Sequence, residues 1–204
     1  MNIAKLKEAE QKFFETYPGG MENPELVKII KKHNLKPRMD FCQTSFALNQ
    51  FSNPLQIVDN MVKAVSRSTM VSLFEKPKFR DFVNSFDVPQ TLMLSESLRA
   101  MLHGDQRTGF DQMVELLAVQ KLAKWTLITV IPAYFNPDYE VFIKPTTVKN
   151  ILEYMEINDI QYKPAPTYDF YDKYRAYINE MKKYVHKSLR NSNAQFSGFL
   201  MMTV

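Results

Sequence analysis

Few residues in this 204-residue sequence are arranged to do chemistry. The most polar short cluster in an apolar neighbourhood is His103-Gly104-Asp105-Gln106. An imidazole and a carboxylate this close could serve as an acid/base pair. The same residues also suit a helix junction, with His103 in a last turn, Gly104 as the stop and Asp105 as the next cap. The junction forms from local signals alone and is the expectation, so no catalytic residue is assigned. Lys144-Pro145-Thr146-Thr147 precedes a segment of helical character. Amides at a helix N-terminus, hydroxyls and an ammonium could hold a phosphate there. The simpler alternative is a plain cap by Thr146 or Thr147. Glu140 and Lys144 invite comparison with metal-dependent nucleases, but three residues separate them where those sites need an acid and a lysine two apart. The aromatic run from Tyr168 to Tyr184 could stack bases, although aromatics at helical spacing more often form core.

Two basic runs offer a different chemistry. Lys28, Lys31, Lys32, Lys36 and Arg38 have no acid among them. Between residues 63 and 80, Arg67, Lys76, Lys78 and Arg80 join Lys63 against Glu75 alone. Together they could form one surface that contacts phosphates, or they could be two solvated helix faces. The net charge of +4 and pI near 9.0 allow an acidic partner without requiring one.

Other chemistries lack their residues. There is no Gly-x-Gly-x-x-Gly, no Walker-type phosphate loop and no His-Glu-x-x-His. Three histidines are too few for most histidine-built metal sites, and a single cysteine, Cys42, excludes an internal disulfide framework. No cofactor or metal is expected. The sequence has no secretion-type apolar core near its start, and its longest apolar run, Trp125 to Phe135, falls short of the roughly 20 residues that span a bilayer. A cytoplasmic location without a membrane partner is the expectation.

The elements that must position these residues read as mainly helical, in a single domain over residues 1–204. Residues 3–16 show helical spacing that Pro18-Gly19-Gly20 ends, and Asn23-Pro24, Ser52-Asn53-Pro54, Asp87 and Asp105 are start signals. Pro37 and Pro77 mark two further starts. The segment from Trp125 to Ile131 has strand-like β-branched content, but its helical surroundings favour a buried helix. Residues 140–144 and 160–163 look extended, the first because residues before proline avoid helix. Residues 167–189 predict a helix whose stripe Tyr171, Tyr174, Ile178, Met181 and Val185 faces the core, with Lys173 and Arg175 mostly on other faces. In the tail, Phe196, Leu200, Met202 and Val204 share one parity, which suggests a terminal strand. Such a strand could pair with residues 140–144 in a two- or three-stranded β element.

Three stretches resemble parts of bacterial cytosolic proteins of unassigned function. They are His103-Gly104-Asp105-Gln106 with Gly109-Phe110, Leu122-Ala123-Lys124-Trp125, and Val141-Phe142-Ile143-Lys144-Pro145-Thr146. The resemblance covers residues 60–204 and implies a bacterial, cytosolic source, with no functional residue to carry over.

These observations lead to the expectation of a non-catalytic or accessory binding protein. Its basic face would contact nucleic acid or an acidic protein through Lys28, Lys31, Lys32, Arg38, Arg67, Lys76, Lys78, Arg80, Lys144 and Thr146. Two other readings are an enzyme acting on a phosphorylated small molecule near His103, Asp105 and Lys144, and a helical subunit whose aromatic and Met-rich surface is covered in a homo-oligomer.

Overall fold

Short polar side chains start most of the helices. Asn2 accepts from the Lys5 amide at the head of α1 (Ile3–Thr16), Asn23 from Glu25 at α2 (Pro24–His33) and Asn53 from Gln56 at α4 (Pro54–Arg67). Asp87 and Gln90 form a reciprocal capping box at α6 (Val88–His103), and Asp105 caps α7 (Gln106–Ala118). Ser192 starts α11 (Asn193–Thr203) in the same way. No side-chain cap begins α3 (Leu35–Ser45), α5 (Glu75–Asn84), α8 (Trp125–Phe135), α9 (Pro145–Tyr154) or α10 (Tyr168–Met181). Among the described residues these eleven α-helices, with four short 3-10 turns, are the only regular structure. The computed structural model describes residues 1–204, except that the side chain of Lys32, one of the anion-contact candidates, lies outside the described residues.

The core is one continuous apolar cluster from Leu6 to Leu200. Its centre is α8, buried at nearly every position from Trp125 to Tyr134 and packed by α3, α4, α6 and α7. Complete burial explains how a β-branched run is helical here: surrounding helices cover every face, so no period-two amphipathicity is needed. A second group joins α1 to α11, and α11 to α9 and α10. No helix is long and apolar enough to cross a membrane among the described residues.

The expected β element is absent, since no described residue lies in a strand. The tail is α11, in which Phe196, Phe199, Leu200 and Thr203 are buried at helical intervals. The parity pattern had left out Phe199, whose burial breaks a period of two and completes one of 3.6. Residues 140–144 are neither helix nor strand, with Lys144 itself extended, and side chains rather than a neighbouring strand take part of their backbone. Ile143 N donates to Thr129 Oγ1 at 3.1 Å, and Asn193 Nδ2 donates to the Tyr139 and Glu140 carbonyls at 2.8 and 3.1 Å. The helix expected over 167–189 stops at Met181 and continues as 3-10 turns at Lys182–Tyr184 and Lys187–Leu189. Its stripe of Tyr171, Tyr174, Ile178, Met181 and Val185 is buried. Two helices begin earlier than their prolines suggested, α3 at Leu35 and α5 at Glu75, so that Pro37 and Pro77 fall in the first turn, where a missing amide costs nothing.

One glycine is set by close packing. A Cβ on Gly109 would lie 2.5 Å from the Ser97 carbonyl oxygen and 2.6 Å from the Met101 amide, so α6 and α7 meet backbone to backbone there. Gly109→Ala is expected to destabilise by about 1–3 kcal/mol through overpacking, and Ile178→Ala by about 2–5 kcal/mol through the cavity it leaves. Both are read from denaturant unfolding; a parent-like midpoint for either would count against the packing described.

Candidate functional site

The two basic runs meet at Arg38. From the first turn of α3 its Nε donates to the Arg67 carbonyl at 2.8 Å, and Nη1 donates to the carbonyls of His33 and Asn34. These carbonyls lie at the C-terminal ends of α4 and α2, where a cation is favourably placed. Arg38 is therefore a clamp as well as a charge. His33 Nδ1 lies 3.3 Å from Thr69 Oγ1 and ties α2 to the same segment. The Arg67 guanidinium stands 5.6 Å from the Phe41 ring centroid and has no carboxylate partner among the described residues. Lys28 and Lys31 are exposed on the side of α2 opposite buried Leu26. Lys36 is paired with Asp40 at 3.1 Å.

The α5 cations do not share one side of their helix. Buried Phe79 and Val83 set the inner side of α5. Lys76 and Arg80, one turn apart, flank that side, whereas Lys78 lies beyond its other edge. Arg80 is also paired with Asp81 at 2.8 Å.

The segment after Arg67 leads from the clamp into a cleft of about 570 Å³. It is lined by residues 69–73 and Glu75, by Lys124, Trp125 and Thr126, and by Lys144, Pro145, Tyr162 and Pro164. Two helix N-termini open here, because Lys124 precedes α8 and Lys144 precedes α9. The two ends differ. Thr126, in the first turn of α8, donates its hydroxyl to Glu75 Oε2 at 2.7 Å, so a carboxylate already serves that end. Nothing serves α9. Thr146 and Thr147, expected as caps, lie inside the helix as its second and third residues, and neither caps it. Lys124 was not singled out in the sequence; as an isolated lysine it carries no local signal.

His103 and Asp105 do not line this cleft. His103 ends α6 and donates from Nε2 to the Phe46 carbonyl at 2.8 Å, with its ring edge-on to Phe51 and Phe135. Asp105 accepts from the Arg107 amide and the Thr108 hydroxyl, and these hydrogen bonds, the hydroxyl's foremost, hold its carboxyl below the usual range. Among the described residues, no group of three metal-ligating side chains occurs.

The most demanding polar arrangement was not anticipated. Arg175, expected mostly on an outer face of its helix, is 4% exposed and Glu140 only 7%. Arg175 Nη1 donates to Glu140 Oε1 and Oε2 at 2.7 and 2.9 Å, and Nη2 to Asp172 at 2.6 Å. Gln106 Nε2 and the Tyr171 hydroxyl complete the Glu140 carboxylate, and the guanidinium lies 4.6 Å from the Tyr139 ring centroid. Burial works against the Arg175 charge, but Glu140, Tyr171 and Asp172 together outweigh it and hold the guanidinium above its ordinary range. For Tyr171, burial first and then Glu140 push the phenol well up. The cluster's hydrogen bonds are directed at one another, which suits it to hold the fold.

No protein-family model matches the chain, and no curated protein or solved structure matches it. Function must therefore be read from geometry and chemistry alone.

Arg175→Met leaves Glu140 buried and unpaired and is expected to cost about 3–5 kcal/mol, with part recovered on adding Glu140→Gln; equal losses in single and double variants would show no coupling. Tyr134, Tyr171 and Tyr174 all have phenols raised chiefly by burial. Their neutral forms favour the fold fully below the unfolded value of about 10, and that contribution is lost as pH rises above it. Tyrosinate absorbance from these three should appear together with loss of helical circular dichroism, and ionisation of all ten tyrosines in the intact fold would contradict this.

Proposed function

We propose that this chain is a non-catalytic binding protein whose basic face engages a polyanion, nucleic acid in the first place. The meeting of the two basic runs at Arg38 carries this reading: the clamp on the Arg67 carbonyl ties the end of α2 to the end of α4. Lys28 and Lys31 then belong to one side of α2, Arg67 to the junction, and Lys124 and Lys144 to the cleft that follows along the same segment. Arg38 contributes through its position more than through free donors, since Nε and Nη1 are already bound to carbonyls. Contacts of this kind recognise phosphates and carry no base sequence.

An enzyme centred on His103 and Lys144 has less support, because the imidazole is bound to a backbone carbonyl away from the lysine-lined cleft. The exposed apolar residues Val88, Leu92 and Met93 of α6 are the surface an oligomer would cover, without anything to identify its partner.

Affinity for a labelled oligonucleotide should fall steeply with salt as counterions are released. Arg67→Glu combined with Lys144→Glu should weaken binding at least ten-fold at low salt and flatten the salt slope by roughly one to two. The melting temperature should stay near the parent's, since neither side chain forms an ion pair among the described residues. If the parent binds neither DNA nor RNA at low salt, nucleic acid is excluded and an acidic protein becomes the partner to seek.

A further inference from the structure

We infer that the nucleic acid this face takes is single-stranded, with a backbone phosphate in the cleft between Lys124 and Lys144 and an unpaired base stacked on Phe74. The inference rests on the polyanion reading and deepens it. The cleft holds about 570 Å³, a volume suited to one nucleotide-sized group and too small to admit a duplex. Within it, Lys124 and Lys144 have no ion-pair partner among the described residues, and α9, which begins after Lys144, has no side-chain cap. The one acid in the lining, Glu75, is directed at Thr126 at the neighbouring helix end.

The rim supplies the second observation. Leu73 and Phe74 are 78% and 82% exposed, the two most exposed large apolar side chains of the molecule. Phe74 sits between two lining residues, Leu73 and Glu75, and Lys76 follows. Its backbone is held, since the Phe74 amide donates to Ser72 Oγ at 3.2 Å while the Glu75 and Lys76 amides donate to the Ser72 carbonyl. An aromatic ring on a fixed turn, open to water and next to cations, is what stacking of an unpaired base requires. Tyr162, the other cleft aromatic, is less available because it is half-buried and the Lys149 ammonium stands 5.2 Å from its ring centroid. Duplex bases are already stacked on one another and offer no open face to Phe74. An anionic bilayer would also meet Leu73 and Phe74, but it makes no use of a nucleotide-sized concavity beside them.

Fluorescence anisotropy with a labelled 20-nucleotide single strand and with its duplex, at low salt, tests this. The single strand should bind the parent at least ten-fold tighter than the duplex. Phe74→Ala should weaken the single strand roughly ten-fold and leave both duplex binding and melting temperature unchanged, while Phe74→Trp should retain the preference. Lys124→Glu with Lys144→Glu should remove the single-strand advantage. If Phe74→Ala leaves single-strand affinity unchanged, or the duplex binds as well, single-strand recognition is overturned and the broader polyanion reading stands. If neither form binds, the broader reading falls as well. Co-sedimentation with phosphatidylserine vesicles that Phe74→Ala abolishes, without single-strand binding, would assign this rim to a bilayer and overturn the inference.

Discussion

Glu140 and Arg175 are both buried, where either charge left without the other would be costly. Each oxygen of the carboxylate has a donor besides the guanidinium, Gln106 on one side and Tyr171 on the other. Arg175 in turn reaches Asp172 at the solvent edge. A pair of this kind adds little net stability over an apolar replacement, yet it fixes geometry, because only one arrangement satisfies every partner at once. Three parts of the chain are brought into register by it: the start of α7, the extended connector before α9, and α10.

The same connector shows why the C-terminal half builds no sheet. Asn193, the first residue of α11, donates to the carbonyls of Tyr139 and Glu140, and its own amide donates to the Pro137 carbonyl at 2.7 Å. Thr129 of α8 takes the Ile143 amide. Helices on either side thus take backbone groups that a partner strand would otherwise pair. The segment delivers Lys144 to the cleft lining with α9 beginning behind it. The candidate binding surface and the buried ion pair are thus linked through one short stretch of extended chain.

Where residues 69–75 line the cleft, the supporting element is again a side chain bound to backbone. Arg38 gathers the carbonyl ends of two helices, and Ser68 meets the Tyr134 hydroxyl at 2.9 Å beneath the surface. The segment 68–75 is therefore fixed at its base while Leu73 and Phe74 project at its tip. A surface that binds a flexible polymer benefits from such a rigid base, since the ordering cost then falls mainly on the ligand.

Much of the helical content was legible in the sequence, because a helix start is a local event. Asn23-Pro24, Asn53-Pro54, Asp87 with Gln90, and Asp105 satisfy orphan amides within a few residues of themselves. The stripe from Tyr171 to Val185 was legible for the same reason. The tail was misread because its parity pattern passed over Phe199. The site was less legible. The basic runs could be named, but that Arg38 would turn inward to join them, that Lys124 and Lys144 would line one cleft, and that Arg175 would find Glu140 across 35 positions depended on elements meeting in space. By itself the sequence determined where helices begin and which stripes must be covered, since those follow from hydrogen bonds and apolar spacing within a turn or two. Only the tertiary structure decided which charges are buried as partners and which stay free to meet a ligand, because a charge's surroundings are set by segments distant in the chain.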